Sequence, residues 1–122
     1  MLVPRTKPWN REEVANDPEH IYIFGDNLIE KGRGGQACIR GLPNAFGIPT
    51  KKLPAMHDAA FFTDKEFEQN KVSIDNAIAK LPKDKHWIYN PNIGAGLAQM
   101  PSRCPRTYQY LLARLQELSR IG

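Results

Sequence analysis

The chain is predicted to fold as an α/β domain with a small, mainly parallel sheet, and three observations carry that prediction. Continuous β-prone runs, His20-Ile21-Tyr22-Ile23-Phe24 and His86-Trp87-Ile88-Tyr89, alternate with segments of helical period. Each run leads toward a glycine-rich segment, Gly32-Arg33-Gly34-Gly35 after the first and Gly94-Ala95-Gly96 after the second. The length of 122 residues suits a single core, so residues 1–122 read as one domain.

The elements follow in order. Asn10-Arg11-Glu12-Glu13 opens a short helix, with Asn10 as its cap and Glu13 completing a capping box, and Asp17-Pro18 ends it. The run over residues 20–24 reads as a strand buried on both faces, closed by the turn residues Gly25-Asp26-Asn27. A helical turn over residues 36–40 is stopped by Gly41. Residues 45–50 form a second, weaker strand, whose Gly47 and Pro49 suit an edge. Residues 51–62 show no period and read as the kind of long connection that serves as a lid or binding loop. Thr63-Asp64-Lys65-Glu66 is a capping-box sequence, after which Phe67, Ile74, Ala77, Ile78 and Leu81 share a helical face. Residues 86–89 supply the third strand. Ser102 or Cys104 caps the last helix, Pro105 lies in its first turn, and Tyr108, Leu111, Leu112, Leu115, Leu118 and Ile121 form its apolar stripe.

Hydrophobic residues at 41% and charged residues at 25% exclude a disordered chain. No apolar stretch is long enough to cross a bilayer, and the N-terminus lacks a signal-peptide core. Both point to a cytoplasmic protein with no membrane partner. Zinc wants about four clustered ligands, whereas Cys38, Cys104, His20, His57 and His86 are scattered, so neither a metal nor a cofactor is expected. A net charge of +4 suits an anionic ligand but is too mild to diagnose nucleic-acid binding.

The chemistry is concentrated in the two glycine-rich segments. Glycine lets backbone N–H groups approach an anion with no Cβ in the way, and open α/β sheets bind ligands at the carboxyl ends of their strands. Gly32, Gly34 and Gly35 read as one wall of such a site and Gly94 and Gly96 as the other. Arg33 is the expected phosphate contact, because a guanidinium matches phosphate oxygens in pairs. Neither segment is a Walker A loop or a GxGxxG turn. The same glycines also suit tight turns alone, but finding two such loops after two buried strands favours a ligand.

Four segments, Phe24-Gly25-Asp26-Asn27-Leu28, Gly32-Arg33-Gly34-Gly35-Gln36-Ala37, Phe46-Gly47-Ile48-Pro49-Thr50-Lys51 and Asn92-Ile93-Gly94-Ala95-Gly96-Leu97, resemble the macrodomain superfamily in their order and spacing. The branch they resemble contains the terminal ADP-ribose glycohydrolases and related short phage and bacterial proteins. The resemblance implies a three-layer α/β/α sandwich with a small mixed, mainly parallel sheet. Its implied ligand is ADP-ribose or a related NAD-derived nucleotide, either free or carried by an ADP-ribosylated protein or nucleic acid. Asn27 would meet the distal ribose. Gly34, Gly35 and Gln36 would surround ribose and diphosphate, and Ile93, Gly94, Ala95, Gly96 and Leu97 would wrap the diphosphate from the other side. Lys51 would be the lysine that attacks the anomeric carbon. Two departures stand out. The acid that follows the Gly-x-Gly-Leu segment in the glycohydrolases is replaced by Ala98, leaving Asp26 or Asp58 as the candidate carboxylate. No counterpart of the adenine-reading aspartate precedes His20. A different class, a basic nucleic-acid-binding accessory protein without catalysis, is the alternative.

Overall fold

A computed structural model describes residues 1–120 of the chain. Four strands, β1 (Leu2–Pro4), β2 (His20–Asn27), β3 (Ala45–Lys51) and β4 (His86–Tyr89), form one sheet in the order β1-β4-β2-β3. Every pairing is parallel, so the sheet is wholly parallel rather than mixed. The helices are α1 (Arg11–Ala15), α2 (Phe67–Ala79), α3 (Met100–Arg103) and α4 (Pro105–Ser119). Ile121 of the expected apolar stripe lies outside the described residues.

Alternation along β2 organises two cores. Ile21 and Ile23 face one side with Ile48 and Trp87, packed against Ile74 and Ile78 of α2 and Leu111, Leu115 and Leu118 of α4. Tyr22 and Phe24 face the other side with Ile88, under Trp9, Val14 of α1, and Ala37 and Ile39 of a short 3₁₀ turn, Gly35–Ile39. A strand covered on both faces is what the unbroken apolar run demands.

Three readings are corrected. Gly25, Asp26 and Asn27 do not form a turn but continue β2, because β3 pairs with all three residues. Leu2–Pro4 form a strand that no local pattern announces; it exists because β4 offers an edge to Leu2, Val3 and Pro4. The capping box at Thr63 is not made, since Thr63 Oγ1 bonds the Glu66 carboxylate at 3.1 Å and a 3₁₀ turn (Asp64–Glu66) precedes α2. The box at Asn10 and Glu13 is complete.

Asp64, inside the same four-residue sequence, caps a different helix. Its carboxylate accepts from the Arg106 amide, the Thr107 amide and the Thr107 hydroxyl, each at 2.9 Å, at the start of α4. Cys104 does hold the N-cap position of α4 but makes no side-chain cap bond there, and Ser102 lies inside α3. Burial pushes the Asp64 pKa up, but the three donors outweigh burial and hold it below the ordinary aspartate value. Asp64→Ala is therefore expected to lower stability by about 1 kcal/mol in urea unfolding at neutral pH. A depressed carboxylate stabilises above its unfolded pKa and loses that effect as pH falls through its folded one. The difference between wild type and variant should thus close below about pH 4.

Candidate functional site

Strand β2 runs past its last pairing with β4, which is Ile23 opposite Tyr89. Residues 24–27 therefore present one bare backbone edge beyond the end of β4. Gln36 serves that edge, its Oε1 accepting the Gly25 amide at 3.1 Å. Beside it opens a cavity of about 530 Å³ at the carboxyl ends of β2, β3 and β4. That volume lies within the range of roughly 300–1,000 Å³ typical of small-molecule sites.

The two glycine-rich segments meet across this cavity. Gly32, Gly34, Gly35 and Gln36 line one side, and Asn92, Gly94, Gly96, Leu97 and Ala98 the other; Asp26, Asn27, Lys51 and Met56 also contribute. The glycines play different parts. A Cβ on Gly34 would meet nothing within 4 Å, and its φ of −80° is open to any residue. A Cβ on Gly94 would sit 2.7 Å from Met100 Sδ, and its φ is +81°. Gly34 thus borders open space, whereas Gly94 is glycine for packing and backbone reasons. Gly35 and Gln36 open the 3₁₀ turn, where an amide has no intrahelical acceptor.

Lys51 ends β3 with its amine donating to the Ala55 carbonyl at 2.6 Å. The amine lies 4.6 Å from the centre of the buried Phe61 ring, and the Arg103 guanidinium lies 3.7 Å from the same centre. Burial lowers the Lys51 pKa from the ordinary lysine value, and the charge of Arg103 lowers it further. Asn27 is buried and clasps Lys31, its Nδ2 donating to the Lys31 carbonyl at 2.7 Å. Asp26 is buried too and pairs with Arg40 at 2.6 Å.

Other expected site residues fall elsewhere. Arg33 is exposed and does not border the cavity; Arg40 does, because the 3₁₀ turn brings it back beneath the loop. Arg40 had one local signal, its place just before the Gly41 that stops the turn. Ile93 is buried in the larger core, and Ala95 lies on the loop outside the lining. Asp58 is exposed and pairs with Arg103 at 3.1 Å. Phe61 and Phe62, at the end of the same loop as Asp58, are buried in the core. Lys52, next to Lys51, is an ion-pair partner of Glu66. On α4, Arg106 stacks on Phe67 at 3.8 Å and Arg114 pairs with Asp75 and Glu117. Met56 had no signal beyond the length of its loop.

A parallel α/β protein with an open cavity above its strand ends is the class that this fold and site define. No helix among the described residues is long and apolar enough to cross a membrane. The chain belongs to a family of unknown function, DUF7831, whose model matches residues 4–114. No curated protein and no solved structure matches the chain.

Proposed function

We propose that the cavity binds ADP-ribose or a related NAD-derived nucleotide, within a macrodomain-like three-layer arrangement. One observation carries this reading: glycine-rich segments about 60 residues apart in the chain border a single cavity at the carboxyl ends of parallel strands. Lys31, Arg40 and Lys51 border it as well and suit a diphosphate. The net charge of +4 favours an anionic ligand.

Hydrolysis of an ADP-ribosyl linkage is the second activity proposed for the same cavity. It is favoured by Lys51, a lining residue of the cavity whose amine has a lowered pKa. A neutral amine can attack an anomeric carbon; an ammonium cannot. Ala98 is buried where the resemblance implies an acid, so recognition is the leading activity and turnover the second.

Isothermal titration calorimetry tests the reading, with AMP, NAD and a short single-stranded oligonucleotide as comparison ligands. Saturable one-to-one binding of ADP-ribose is expected. Gly34→Glu should weaken it by about a hundredfold, because the new carboxylate enters the phosphate side of the cavity unpaired. The melting temperature should stay within about 2 °C of wild type, since nothing crowds a side chain at that position. Silence with ADP-ribose together with salt-sensitive oligonucleotide binding would instead support a basic nucleic-acid-binding protein.

A further inference from the structure

Residues 28–35, which supply one wall of the cavity, are exposed without exception. None of its side chains is buried, and three of its residues hold left-handed backbone, Glu30 at φ +53°, Gly32 at φ +92° and Gly35 at φ +56°. Such a segment keeps one shape only if polar contacts hold it. Asn27 supplies one clasp on Lys31. Arg40 supplies the other, with Nε donating to the Gly32 carbonyl at 2.8 Å and Nη2 to the Lys31 carbonyl at 3.2 Å.

Arg40 is itself fixed. Its Nη2 donates to Asp26 Oδ1 at 2.6 Å, and its guanidinium lies 5.3 Å from the centre of the Phe24 ring. Asp26 Oδ1 also accepts the Asn27 amide at 2.7 Å, which locks the carboxylate against its own strand. Carbonyl oxygens beside an anion site repel the anion. A guanidinium that occupies two of them removes that repulsion, which an apolar anchor would leave in place.

We propose that Asp26 and Arg40 are positioning residues of the cavity: Asp26 fixes Arg40, and Arg40 straps the Lys31 and Gly32 carbonyls so that the glycine-rich wall is preformed for an anionic ligand. This inference rests on the nucleotide reading for the identity of the ligand, but the strap itself does not. It assigns Asp26 to shaping the wall rather than to proton transfer.

Trypsin provides the local readout, because the wall carries Lys31 and Arg33. Arg40→Lys keeps a positive charge beside Asp26 but cannot span both carbonyls. Cleavage after Lys31 and Arg33, followed by mass spectrometry on the unliganded full chain, should accelerate about tenfold in Arg40→Lys and Asp26→Asn. The melting temperature of Arg40→Lys should change little, and its ADP-ribose affinity should fall about tenfold. Should Asp26→Asn fail to fold, Arg40→Lys carries the test alone. Unchanged cleavage at both sites in Arg40→Lys would overturn the strap. Faster cleavage with no ADP-ribose binding by the wild type would uphold the strap and overturn the nucleotide reading. Equal affinity and equal cleavage in wild type and Arg40→Lys would overturn the strap and leave the nucleotide reading standing.

Discussion

Gly47→Ala is expected to destabilise the protein by about 3 kcal/mol, the upper end of what overpacking costs. A Cβ at Gly47 would lie 2.8 Å from Asp26 Cβ and 2.9 Å from Asp26 Cγ, and closer still to Oδ2. Neither partner can give way easily. Asp26 is held by Arg40 and the Asn27 amide, and both glycine and aspartate sit on paired strands. Against a total stability of roughly 5–15 kcal/mol, such a loss is large. Urea unfolding measures it, with Gly34→Ala as the control that should change little. Asp26→Ala should not rescue Gly47→Ala, because the Cβ contact survives that change. A midpoint for Gly47→Ala equal to wild type would show that the strands part without strain at this pair.

Lys51→Ala is expected to reduce release of ADP-ribose from a modified protein or nucleic acid to the uncatalysed background. ADP-ribose affinity should fall by less than about tenfold, because one cation among several is lost. Lys51→Arg should not restore turnover, since a guanidinium stays protonated and cannot attack carbon. The pH profile gives an independent check. The attacking form is the neutral amine, so kcat/KM should rise with pH and level off below the ordinary lysine pKa of about 10.4. Burial and the Arg103 charge set that direction. Absence of turnover by the wild type, or full turnover by Lys51→Ala, would remove catalysis from the proposal and leave binding.

Much of the fold was legible because its signals are local. The Asn10–Glu13 box, the two apolar runs, the α4 stripe and the edge character of Pro49 each act within a few residues. Non-local partners decided the rest. Leu2–Pro4 is too short to declare itself and becomes a strand only beside β4. Gly-Asp-Asn is turn chemistry by composition, yet β3 draws it into the sheet. Thr63-Asp64-Lys65-Glu66 reads as a capping box for the helix that follows, but the Asp64 carboxylate takes its donors from residues 106 and 107. The site divides in the same way. That both glycine-rich segments border one cavity follows from the strands that precede them. That Arg40 rather than Arg33 borders it depends on how a five-residue 3₁₀ turn rotates its last neighbour.

The strand order bears on how the chain is made. Strand β4 lies between β1 and β2, and β1 has no other neighbour in the sheet. Leu2 is opposite Trp87, and the Arg5 amide donates to the Tyr89 carbonyl at 2.8 Å. On a translating ribosome, β2 and β3 can pair as soon as both have emerged, but the leading strand must wait for most of the polypeptide. Until then its partner does not exist, and one side of β2 stays uncovered. Such long-range closure is slow and leaves a nascent edge open to other chains. A stalled chain released before residue 86 would therefore be expected to bind chaperones, whereas the finished one would not.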